Sequence, residues 1–198
     1  MIRFGERPWI CALIEQIKKN SLNIDNQISE TITSLSDLAS TLSEGERTTY
    51  DNIIRSMTLP SDAFDSFCSW SDDGYTRNCI YDNEKFELIL LCWEPGQLTP
   101  IHDHGGEECW VKVIKGEFRE TIYQVDEADD LKAIKIATSK EGEITYMIDF
   151  MGFHRLENLS DTRSMSLHLY AKPIRSCKMF DEATGEFKRK KLVYNTVS

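Results

Sequence analysis

Apolar positions recur at helical spacing through roughly the first 70 residues and at strand spacing beyond them. Pro8 stands where a first helical turn tolerates it, and Trp9, Ile10, Leu13, Ile14 and Ile17 follow on one face before Asn20 ends the run. From about Asn26 to Leu42, a second stripe is formed by Ile28, Ile32, Leu35, Leu38 and Leu42. Pro60-Ser61-Asp62 opens a short helix through Phe64, Phe67 and Cys68. All three segments read as packing helices.

From Tyr75 onward the chain is made of short apolar or alternating runs: Phe86 to Trp93, Cys109 to Ile114, Phe118 to Val125, Met165 to Tyr170 and Lys191 to Tyr194. Glu94-Pro95-Gly96, Lys115-Gly116-Glu117, Glu141-Gly142-Glu143 and Thr184-Gly185-Glu186 mark turns between runs. Many short strands at close spacing predict a mainly β protein, an antiparallel sandwich or barrel with an N-terminal group of α-helices. With 198 residues the expectation is a single domain, in which a helical segment 1–72 packs on a β unit 73–198.

Charge narrows the partners. The formal net charge is -10, which disfavours nucleic acid and anionic membranes, since both need a concentrated basic surface. The one basic cluster, Lys188-Arg189-Lys190-Lys191, reads as the solvated edge of a hairpin. Six cysteines without a CxxC pair, and charged residues soon after Met1 where a secretory signal would be apolar, suit a reducing cytoplasm. No apolar run approaches the roughly 20 residues that span a bilayer. A monomer is expected.

All four histidines fall in the strand-rich part. His102-Asp103-His104 places two imidazoles at i and i+2, on one face of a strand and able to share one ion. Ser166, His168 and Tyr170 alternate in the same way, presenting a hydroxyl, an imidazole and a phenol in a row. Taken alone, that row fits either a half-exposed strand or a hydrogen-bond relay.

The run from Gly96 through His102-Asp103-His104 to Cys109 and Gly116 resembles the first motif of the cupin superfamily, and His154-Arg155-Leu156-Glu157-Asn158 resembles the second. The resemblance implies a jelly-roll β-barrel in which His102, His104 and His154 hold one metal ion. The superfamily's usual glutamate position is occupied by Cys109, although Glu107 or Glu108 could restore a carboxylate. Three neutral imidazoles would leave the full metal charge for external ligands.

Tyr75-Thr76-Arg77-Asn78, Leu91-Cys92-Trp93, Ile101-His102-Asp103-His104, Cys109, Gly152 to Asn158 and Ser166 to Tyr170 together resemble the cysteine dioxygenase family, from about Pro60 to Phe180. That resemblance implies Fe(II), one per chain, with O2 as co-substrate and L-cysteine oxidised to its sulfinic acid, a step of cysteine catabolism towards taurine and sulfite. It implies Arg77 as the clamp for the substrate carboxylate, with Tyr75 lining the same pocket. A guanidinium suits that role through its parallel donors. It further implies Ser166, His168 and Tyr170 as a supporting row, and a thioether cross-link between Cys109 and Tyr170. Tyr170-Ala171-Lys172-Pro173 departs from the family's serine and two prolines, so a trans bond before Pro173 is expected there. Other readings are a dioxygenase for 3-mercaptopropionate or another small thiol, or a metal-binding sensor without turnover.

Overall fold

A computed structural model describes residues 32–127 and 130–197. The apolar run Trp9 to Ile17, and the part of the second stripe before Ile32, lie outside the described residues. The second helix, α1, spans Leu35–Glu44 and begins later than its stripe suggests, because Ser34 caps it. The Ser34 hydroxyl accepts from the Asp37 amide, and the Asp37 carboxylate accepts in turn from Thr33. That reciprocal arrangement satisfies donors a helix start would otherwise leave open. A further helix, α2 (Tyr50–Ser56), has no counterpart in the sequence reading. The Pro60 segment forms a 3-10 helix over Ser61–Phe67.

The larger sheet contains β1 (Thr76–Asp82), β2 (Glu87–Trp93), β3 (Cys109–Lys115), β6 (Ile144–Met147), β8 (Ser164–Tyr170) and β11 (Thr196–Val197). Its order is β11-β1-β2-β8-β3-β6. Both faces of its centre are covered, which is why β2 and β8 are buried at every position and β2 reads as a nearly continuous apolar run. One face, carrying Leu88, Leu90, Trp110, Leu167 and Leu169, packs under α1, α2 and Phe64. The opposite face, carrying Ile89, Leu91, Trp93, Cys109, Val111 and Tyr170, meets Phe118 and Leu156 from the second layer.

That second layer joins β5 (Leu131–Lys140), β4 (Glu117–Val125) and β7 (Phe153–Asn158) to the hairpin of β9 (Ser176–Asp181) and β10 (Glu186–Lys191). The join is the irregular stretch from Leu98 to Asp103. His102 exchanges both backbone bonds with His154 of β7, while Ile101 and Asp103 bond to β9 on the other side. The result is a mainly β two-layer jelly roll of the cupin type, with a few helices outside one layer. Of the expected strand Lys191 to Tyr194 only Lys191 is strand, as the end of β10, and Leu192 to Tyr194 lead from the hairpin towards β11 beside β1. The basic cluster lies on the exposed edge strand β10, with Lys188 paired to Asp181. No cis peptide occurs among the described residues, and Lys172 takes a φ of 94° before Pro173. No described helix is long and apolar enough to cross a membrane, and the described cysteines form no disulfide.

Lys112 points from β3 towards the helices and is almost wholly buried. Its ammonium donates to the carbonyls of Ile54 and Met57 at the end of α2, capping acceptors that the helix leaves open. Burial lowers its pKa from 10.5 to about 8. Between those two values the unfolded chain holds the proton more tightly, so this group makes stability rise with pH across that window. Denaturant titrations at several alkaline pH values should show wild type gaining stability relative to Lys112→Met as pH climbs. A difference that stays flat would mean Lys112 titrates normally in the fold.

Candidate metal centre and substrate pocket

The centre lies between the two layers. His102 and His154 are brought side by side by their shared backbone bridge. His104 sits within a turn in which the buried Asp103 carboxylate accepts from the amides of Gly105 and Lys178. Gly105 has φ 63°, and a Cβ there would sit 2.7 Å from the Ser176 carbonyl, so only glycine closes this turn without strain. The HxH pair therefore stands on a pinned irregular segment rather than a regular strand. The three ring centroids are 4.5 to 5.7 Å apart. One donor atom from each ring lies within 4.8 Å of the others.

Hydrogen bonds behind the rings set which nitrogen faces inward. His102 Nδ1 contacts the Pro100 carbonyl at 2.9 Å, and His154 Nδ1 contacts the Glu120 carboxylate at 2.7 Å. Both partners only accept, so each Nδ1 carries the proton and each Nε2 keeps its lone pair for an ion. His154 Nε2 is buried with no hydrogen-bond partner, which an ion would remedy. Burial lowers the His102 pKa to about 3 and takes His104 well below the ordinary imidazole value, assisted by the neighbouring rings. Neutral imidazoles converging in this way fit a divalent transition metal.

No carboxylate joins this group among the described residues. Glu108 is held outside it, by Arg47 at 2.5 Å and by the Tyr146 hydroxyl at 2.6 Å. Glu120 is the acid nearest in function, and it is engaged with His154. The sequence reading missed it. The signal was a charged residue at the inward parity of Phe118, Glu120 and Ile122, three positions that the strand buries.

Tyr170 stands beside this centre, its ring 5.7 Å from that of His104. Cys109 and Tyr170 are direct cross-strand partners in the β3–β8 ladder, and the thiol is in hydrogen-bond contact with the phenol. Burial raises both pKa values, so thiol and phenol are protonated at neutral pH. Arg77 also contacts the phenol. The Nε and Nη2 of Arg77 are buried with no partner. Tyr75, just before β1, stacks on Trp93 at 4.7 Å. His168 Nε2 bonds to Ser166 Oγ at 2.9 Å, and Ser166 accepts from Trp93 Nε1 at 3.0 Å. The His168 ring lies nearly parallel to Tyr170 at 6.3 Å. Its Nδ1 is buried without a partner, so it is Arg77, rather than His168, that contacts the phenol in this arrangement.

A jelly roll with three convergent histidines between its layers defines a cupin with a metal-binding centre. The family model described as "Cysteine dioxygenase type I" matches residues 25–183, and the chain belongs to that family. Among curated relatives, cysteine dioxygenase type 1 of Danio rerio is 32% identical over 148 residues, covering 72% of this chain and 74% of that protein. The Rattus norvegicus protein of the same name is 39% identical over 115 residues, 56% of this chain and 58% of its own length. A solved double-stranded β-helix protein from Klebsiella pneumoniae superposes with a TM-score of 0.44 at 16% identity, over 64% of this chain and 86% of its own.

Proposed function

We propose that this chain is an iron-dependent cysteine dioxygenase that converts the thiol of L-cysteine to a sulfinic acid, R–SH + O2 giving R–SO2H. The observation that carries the reading is a buried guanidinium with two unpartnered donor nitrogens, Arg77, linked through Tyr170 to the His102, His104 and His154 cluster. A ferrous ion held by these three imidazoles would supply the acidity that ionises the thiol and the redox centre at which dioxygen reacts. The remaining roles belong to side chains. Arg77 takes the substrate carboxylate by two parallel donors, and Tyr75 walls the same pocket through its stack on Trp93. Tyr170, held protonated by burial, donates a hydrogen bond to the reacting groups. Ser166 and His168, bonded to each other, line the strand face beside it. Family membership supports this assignment, as does the lack of a carboxylate among the converging donors of the described residues. We place the reaction in the reducing cytoplasm, with the chain acting as a monomer.

The test is anaerobic iron loading, then L-cysteine and oxygen, with the product mass recorded. A gain of two oxygen atoms is expected. Turnover of cysteamine in preference to L-cysteine would remove the role given to Arg77.

Cross-strand pairing of Cys109 with Tyr170 favours a thioether between sulfur and the phenol ring, since such partners stand about 4.5 to 5.5 Å apart at Cβ. Its formation removes one hydrogen from each side chain, with dioxygen as the electron acceptor at the iron-loaded site. After turnover, intact-mass measurement should show wild type lighter by two hydrogens and Cys109→Ala unchanged. The idea fails if the wild-type mass does not move.

A further inference from the structure

Glu87 is a charged side chain with no exposed surface, inside a layer otherwise made of Ile89, Leu91 and Trp93. A carboxylate in such a place is tolerated only when its oxygens are occupied. Here Oε1 accepts from the Tyr194 hydroxyl and from Arg175 Nη1 at 3.1 Å, while Oε2 accepts from the Ile174 amide at 3.2 Å. Arg175 also donates to Tyr194 at 2.6 Å and grips both oxygens of Asp82 at 2.7 and 2.8 Å. Its carbonyl accepts from the Leu192 amide. Two side chains, Arg175 and Tyr194, and one backbone amide thus close around the buried acid, with Asp82 holding Arg175 from the far side.

This cluster fastens the C-terminal segment, and the next residue along that segment reaches the pocket. Asn195 brackets Arg77: its side-chain oxygen accepts from the Arg77 amide at 2.8 Å, and its own amide donates to the Arg77 carbonyl at 2.7 Å. Thr196 then bonds to Asn78 at 2.9 Å as β11 pairs in parallel with β1. Glu87 lies directly opposite Tyr170 in the β2–β8 ladder, so the acid, the phenol and Arg77 share one face.

We infer that Glu87 is a positioning residue for Arg77, acting through a clasp of Arg175, Tyr194 and Asn195 that holds the C-terminal segment against β1. The inference rests on the proposed reading of Arg77 as the carboxylate clamp. Glu87 touches neither substrate nor metal. Its effect is to fix the backbone from which the guanidinium projects, so that the two unpartnered nitrogens meet a carboxylate already in line.

The test compares full-length, iron-loaded wild type with Glu87→Gln, Tyr194→Phe, Asn195→Ala and Arg77→Lys. Each is followed by amide hydrogen exchange around residue 77 and by steady-state oxygen uptake with L-cysteine. Tyr194→Phe keeps the ring and removes the hydroxyl, which guards against a Glu87 variant that does not fold. For Tyr194→Phe and Asn195→Ala, exchange at Arg77 should quicken and KM should rise about tenfold, with kcat within about twofold and iron content unchanged. Quickened exchange with an unchanged KM would overturn the inference, since the clasp would then be structural only. Unchanged exchange would overturn it too, by showing that the segment does not hold Arg77. If Arg77→Lys itself leaves KM and kcat alone, the clamp reading falls and the inference with it. A defect confined to Arg77→Lys removes the clasp alone.

Discussion

Replacing His154 with alanine should yield a folded chain that retains little iron after dialysis against a chelator and loses thiol oxidation by about a thousandfold or more. His154 sits in β7 and is 1% exposed, with its Nε2 lacking any partner and its Nδ1 tied to Glu120. Truncation leaves two imidazoles, too few to hold a ferrous ion against competition, and strands the Glu120 carboxylate in the interior. Glu120→Gln is the informative companion. Glutamine still offers a carbonyl oxygen to Nδ1 but no charge, so metal affinity should fall by about 10- to 100-fold while the fold persists. Iron per chain and the iron-induced rise in melting temperature give both values. A His154→Ala protein that binds one iron with wild-type turnover would show that the three-histidine cluster is not the metal site.

The architecture was legible wherever one physical constraint acted on adjacent residues. Alternation and turn residues announced the strands, and the HxH spacing announced two of the converging rings. Legibility stopped where partners come from distant parts of the chain. The inward parity of Glu120 marks it as buried but not as the partner of His154, because that contact exists only once β4 and β7 are paired with Ile122 opposite His154. The same holds for Asn195 and Arg77, 118 residues apart. The helix α2 was missed because its seven residues hold too few apolar positions for a period, and its burial depends on the sheet beneath it. The strand β5 escaped notice for the opposite reason: it is an exposed edge whose side chains obey no burial pattern.

Arg77→Lys should lower kcat/KM for L-cysteine by about a hundredfold, about 2.7 kcal/mol of lost stabilisation, although the positive charge is retained. A guanidinium presents donors in a rigid plane, and two of those on Arg77, Nε and Nη2, stand buried and unpartnered beside the phenol of Tyr170. A lysine ammonium is a compact point charge that cannot form two parallel bonds to a carboxylate and hold the phenol as well. The loss should therefore depend on the substrate: large for thiols with a carboxylate, small for cysteamine, which has none. Oxygen uptake with both thiols measures the ratio directly. Equal losses for the two would mean that Arg77 supports the fold or Tyr170 rather than the substrate, and the carboxylate would have to be held elsewhere.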